Sequence, residues 1–148
     1  MASSTKNRVG PGDLGIDLSR KHDPELFRWL VAVLLFSKPI QQEIAADAFR
    51  ELDHEGLTRV NNLRRADWQH VVDVLGRANY KRYDESTATR LIELAQGLDE
   101  AYGGSLNRLH DGAESRAEVR RRLEGFKGIG EKGAQIFLRE AKGVWENA

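Results

Sequence analysis

A chain of 148 residues is enough for one domain and hardly for two. It has no cysteine, which excludes disulfides, thiolate chemistry and cysteine-held zinc or iron–sulfur clusters, and fits a reducing cytoplasm. Its 23 Lys and Arg balance 23 Asp and Glu, but unevenly. Acids outnumber cations five to one in 41–56 and in 84–100, whereas cations outnumber acids six to two in 59–82 and eight to five in 113–142. Such alternation suggests one positive face toward a polyanionic partner, against the plainer reading of solvated helix surfaces.

Residues 1–22 are rich in Gly, Ser and charge without periodicity, and read as a flexible leader ahead of a helical domain over 23–148. They lack the apolar core of a secretory signal. The longest apolar run, LFRWLVAVLLF at 26–36, is about half the length a membrane span needs, so no membrane partner is expected. Asp23-Pro24-Glu25 supplies a cap, a proline at the first helical position and an acid in the first turn. The helix that follows is apolar nearly all round, hence central and buried; Pro39 ends it. A second helix is expected over about 40–52, with Ile40, Ile44, Ala48, Phe49 and Leu52 on one stripe. A short helix is expected at 57–63. Asp67 caps another at 68–75, with Trp68, Val71, Val72 and Leu75 inward and Gly76 as its stop.

The loop GRANYKRYD (76–84) is basic and aromatic, and Asp84 caps a long helix to about 102, closed by Gly103-Gly104. Ser115 and Glu118 form a capping box before a helix at 116–124. The last helix covers about 130–142, with Ala134, Phe137, Leu138 and Ala141 on its stripe. No strand or hairpin signal occurs, so the class is all-α, about seven helices with short connections.

Chemistry concentrates in GFKGIGEKGAQIFLRE (125–140). Two helices are joined there by a few residues including Gly125, Gly128 and Gly130. Glycine lets the backbone turn sharply and leaves no Cβ before an approaching ligand. The second helix offers free amides and a positive dipole end, which suit a phosphate oxygen. A helix–hairpin–helix of this kind faces a nucleic-acid backbone rather than bases; a plain glycine-rich turn between packed helices is the alternative. Lys132 falls in the first turn, where a cation costs roughly 0.3–1 kcal/mol. Two readings remain open for it. It is an amine nucleophile, its neutral form favoured by the dipole and by Arg120, Arg121, Arg122 and Lys127 nearby, or its charge is kept to pair with phosphate. The histidines (22, 54, 70, 110) are scattered, and neighbours within Asp53-His54-Glu55 point apart on a helix end. No P-loop spacing or nucleophile elbow occurs.

Phe126-Lys127-Gly128-Ile129-Gly130-Glu131-Lys132-Gly133-Ala134 followed by Phe137-Leu138-Arg139 resembles the hairpin of the helix–hairpin–helix DNA glycosylases, the endonuclease III superfamily, and most closely its 8-oxoguanine-excising branch. Residues 26–49 are similar to that superfamily's first core helix and following loop, and 71–98 to the segment leading into its long middle helix; the likeness covers about 25–145. The resemblance implies a base-excision enzyme acting on double-stranded DNA with a damaged base or abasic site, the target nucleotide flipped out. Lys132 matches the lysine that attacks the sugar C1′, expels the base and permits strand cleavage by β-elimination. Gly128 and Gly130 match the phosphate-holding amides, with Lys127 and Arg122 as further phosphate contacts. The carbonyls of Glu124, Phe126 and Ile129 match those that hold a monovalent cation, Na+ or K+. Lys38 or Gln41 would fill the gap left by the flipped base, and Tyr80 or Tyr83 would stack on bases or pack in the core.

The resemblance also has gaps. The superfamily's essential aspartate lies about eighteen residues beyond the lysine, at a position that would be 150, beyond Ala148, so no acid is carried over. The helices that usually follow the hairpin have no counterpart, and an iron–sulfur cluster is not expected. A DNA glycosylase with lyase activity is therefore the leading expectation. A catalytically weak or inactive DNA-binding module, or a helical interaction domain without a nucleic-acid role, are its rivals.

Overall fold

In the computed structural model, which describes residues 8–145, an extended strap leads into eight helices, and the described residues contain no strand. In chain order the helices are α1 (Asp23–Phe36), α2 (Gln42–His54), α3 (Val60–Leu63), α4 (Trp68–Arg77), α5 (Asp84–Tyr102), α6 (Leu106–Asp111), α7 (Arg116–Glu124) and α8 (Glu131–Ala141). The all-α class is as the periodicity predicts.

Helix α1 is the hub. It packs against α2, α5, α6 and α8, and its residues from Leu26 to Leu35 are buried except for Arg28. That exception is paired rather than stranded. The Arg28 guanidinium lies 3.0 Å from both Asp53 Oδ2 and Glu25 Oε1, and Thr58 Oγ1 donates to Asp53 Oδ1 at 2.6 Å. A half-buried charge that keeps its partners avoids most of the penalty of leaving water. Asp53 is thus committed to structure, and Glu55 pairs with Arg77 and His70.

The end of α1 shows how a helix stop is repaired. The Leu35 carbonyl would take its hydrogen bond from the amide of residue 39, but that residue is proline and has none. The Tyr80 hydroxyl donates to it instead, at 2.6 Å. Tyr80 is fully buried, so it is a core residue and not a base-stacking one. Burial pushes its phenol up to about 12.

Several boundaries differ from expectation. Residues 8–22, within the segment expected to be a flexible leader, are packed: 11–14 form a 3-10 turn and Leu14, Ile16 and Leu18 are buried. Alternate residues of an extended strap face the core here, a period-two signal too short to read against Gly10, Gly12 and Gly15. Residues 1–7 lie outside the described residues. Trp68 is not inward but 40% exposed, because the first residue of α4 faces away from the core; its indole donates to Thr89 Oγ1 at 3.0 Å. Gly76 does not stop α4, which runs through Arg77 before Asn79 takes the positive φ of 69°.

Helix α6 has too few turns to show a periodicity. It is held from a distance: Asp23 accepts from Ser105 Oγ and from the Asn107 amide, at 2.8 and 2.9 Å. Asn107 in turn accepts from the indole of Trp145 at 2.9 Å, and that buried ring stacks on His110 with centroids 4.6 Å apart. The expected cap at Ser115 forms, its Oγ accepting from the Glu118 amide at 3.1 Å, but Glu118 returns its bond to the amide of Glu114.

Candidate functional site

Helices α7 and α8 pack on each other and are joined by residues 125–130. The turn is built from the inside out. Ile129 is buried and donates its amide to the Phe126 carbonyl at 3.0 Å. The Phe126 ring rests on α5 at Gly97, where an added Cβ would stand 3.4 Å from the ring. Gly133 brings α8 close to α1, its missing Cβ opposite Val33 Cγ1 at 3.4 Å. Gly128 has a φ of 95°, a conformation that disfavours any side chain, and a Cβ there would touch both Arg90 Cβ and Leu34 Cδ1 at 3.4 Å. These contacts hold the outward side of the turn rigidly.

That outward side is polar and open. Among the described residues, the backbone amides of Gly128, Gly130, Glu131 and Lys132 find no acceptor. Gly130 caps α8 with φ −93° and no side-chain bond, and nothing stands within 4 Å of where its Cβ would be. The four free N–H groups together with the helix dipole form an anion-binding end. They open on a groove of about 830 Å³ between the turn, the start of α8 and the α1–α2 connection.

Of the residues singled out in the sequence, Lys38, Lys127, Gly128, Gly130 and Lys132 line this groove, as do Glu124, Phe126 and Ile129. Lys132 is exposed and, among the described residues, no carboxylate lies within 4.0 Å of its ammonium. Lys38 lies over the ring of Tyr83, 5.3 Å from its centroid, with Arg82 at 5.6 Å. That half-buried tyrosine therefore helps fix the groove's cationic wall.

Three expected residues are elsewhere. Arg122 caps the neighbouring helix instead of facing an external anion: it donates to the carbonyls of Leu109 and Gly112 at 2.8 and 3.1 Å and to Glu118 Oε2 at 2.8 Å. Tyr80 is in the core. Gln41 is exposed at the start of α2 but does not line the groove; Gln42 does, while its Oε1 accepts from the Val9 amide.

No family model, curated protein or solved structure matches this chain. Sequence reasoning missed Arg90, which comes from the middle of α5, lines the groove and packs its stem under Gly128. Only the close approach of α5 to the turn reveals it, and no local pattern around residue 90 announces it.

The groove thus gathers four cations, Lys38, Arg90, Lys127 and Lys132, against two carboxylates, Glu124 and Glu131. Arg90 is partly occupied by Glu93 at 3.1 Å. Chemically the arrangement can hold a phosphate on backbone amides while presenting a primary amine one helical turn or less away.

Proposed function

We propose that this chain binds duplex DNA through the 125–130 turn and the start of α8, and acts on a damaged or abasic nucleotide as a DNA glycosylase with associated lyase activity. The observation that carries the reading is the row of unpaired amides at Gly128, Gly130, Glu131 and Lys132 opening on a groove that also holds the Lys132 amine. One phosphate of the backbone sits on the amides, which positions the adjoining sugar. The Lys132 amine, in its neutral form, attacks the sugar C1′. At a damaged nucleotide the base leaves with its bonding electrons and takes up the proton shed by the amine, and the aminal so formed breaks its C1′–O4′ bond to open to an imine; at a ring-opened abasic aldehyde, condensation releases water and leaves the same imine. Loss of a proton from C2′ then expels the 3′ phosphate by β-elimination.

A monovalent cation fits this reading. The carbonyls of Glu124 and Ile129 accept no hydrogen bond among the described residues, and the Phe126 carbonyl keeps a lone pair beyond its bond from Ile129. Three such oxygens are hard donors suited to Na+ or K+. A bound cation would add positive charge beneath the phosphate.

A second reading is favoured by the absence, among the described residues, of any carboxylate paired with Lys132. A lysine without a neighbouring base has little to remove its proton. The chain is then a DNA-binding module that keeps the clamp and loses the chemistry.

One experiment separates the two. Duplex carrying an abasic site is incubated with the protein and reduced with borohydride. A covalent adduct that disappears in Lys132→Gln is the expected result. Binding without an adduct refutes the enzyme and leaves the module; no binding at low salt refutes both.

A further inference from the structure

The cations of α7 and α8 divide into two kinds. Those that serve the fold are tightly held: Arg122 donates to two carbonyls and to Glu118, and elsewhere Arg28 and Arg77 sit against carboxylates at 3.0–3.1 Å. A second group is left loose. Arg116, Arg120, Arg139 and Lys142 line a separate groove of about 520 Å³ between the two helices, floored by Ala117 and Leu138, and no carboxylate lines it. Arg120 and Arg139 have only loosely placed acids, Glu124 at 3.8 Å and Glu140 at 3.7 Å, each approached most closely through Nε. Arg116 and Lys142 have no acid within 4.0 Å among the described residues.

This groove and the first have no lining residue in common, but both border one face of α8. Lys132, Gln135, Arg139 and Lys142 follow one another at intervals of three and four residues and are all exposed, while Ala134, Phe137 and Ala141 face the core. From Lys132 to Lys142 the helix rises about 15 Å, or 1.5 Å per residue. At about 3.4 Å per nucleotide of one strand that is roughly four successive base pairs.

From this geometry we propose that Arg116, Arg139 and Lys142, with Arg120 beside them, form a second contact for the nucleic-acid backbone. It would lie some four base pairs from the phosphate held at the 125–130 turn. The inference rests on the duplex-binding reading of the turn and extends it. A single clamp leaves the duplex free to pivot about one phosphate. A second contact 15 Å away fixes its direction along α8, so that the nucleotide facing Lys132 is presented in one orientation. Forked arginines on a continuous exposed face suit the regularly spaced, sequence-independent charge of phosphates.

The test is the salt dependence of binding, followed by anisotropy of a labelled duplex long enough to pass both ends of α8. Each neutralised phosphate contributes about 0.9 to the slope of log K against log salt. The Arg116→Gln/Arg139→Gln double variant is expected to bind with a slope shallower by about two. Arg77→Gln, whose charge is spent on Glu51 and Glu55, should leave the slope unchanged. A double variant with the wild-type slope overturns the second contact while the turn's role stands, and assigns the groove to another anion such as an acidic protein. A wild-type chain that binds no duplex overturns the parent reading and this one with it.

Discussion

Two glycines of the turn make a matched pair of perturbations. Gly128→Ala puts a side chain at φ 95° and presses it against Arg90 and Leu34 at 3.4 Å. The left-handed conformation alone costs about 1–2 kcal/mol for a residue with a Cβ. At about 2–4 °C per kcal/mol for a domain of this size, melting falls by about 2–8 °C. Gly130→Ala is different. Its φ of −93° suits any residue, and its Cβ meets nothing within 4 Å. The structural cost is only the poorer capping of alanine relative to glycine, about 0.7 kcal/mol. The new methyl, however, projects where a phosphate would approach the free amides. Losing one charge-assisted hydrogen bond removes about 1.5–3 kcal/mol of binding, or about 10- to 150-fold in affinity. Calorimetry and anisotropy with an abasic duplex read the two quantities on the same samples. The clamp is supported if Gly130→Ala stays within about 3 °C of wild type and loses at least tenfold in affinity. A Gly130→Ala protein that binds as well as wild type refutes the idea that these amides hold a phosphate.

The other predictions concern the scaffold. By ultraviolet difference absorbance Tyr80 should ionise only at about 12. A phenol raised in the folded state stabilises the fold fully below its unfolded value near 10, and that contribution is lost as pH rises through about 12; Tyr80→Phe should flatten stability over that window. It should also cost about 1–3 kcal/mol at neutral pH in urea, because the Leu35 carbonyl loses its donor and Pro39 cannot replace it. Trp145→Ala should cost about 3–5 kcal/mol by the same measurement, since it empties the space between His110 and Phe137 and strips Asn107 of its indole donor. A loss below about 1 kcal/mol would mean that the C-terminal tryptophan does not anchor α6.

Much of the framework was legible. A helix that is apolar on every side belongs at the centre, and α1 is there. Ser115 and Asp67 announce helix starts because a short oxygen-bearing side chain satisfies a free amide only at that position, and both accept the expected bonds. The glycines of the turn were conspicuous for the same local reason. The failures have one source. Trp68 and Tyr80 carry the same kind of signal, an aromatic near a helix end; Trp68, expected inward, is exposed, and Tyr80, open to either base stacking or core packing, is buried. What decides between them is whether a distant group lies opposite: Thr89 at the surface for one, the Leu35 carbonyl in the core for the other. The basic run at 120–122 likewise read as one patch, yet Arg122 turns inward to the end of α6 while Arg120 lines the outer groove.

By itself the sequence determined the helical class, most helix boundaries, the buried hub and the glycine turn with its lysine, because caps, periodicity and φ preference act over a few residues. Only the tertiary structure decided which cations face a common groove, that Arg90 joins them beneath Gly128, and that Tyr80 supplies the bond Pro39 cannot. Those facts depend on which surfaces meet across dozens of residues, and hydrophobic burial, which drives the meeting, is non-directional and leaves no local mark on the chain.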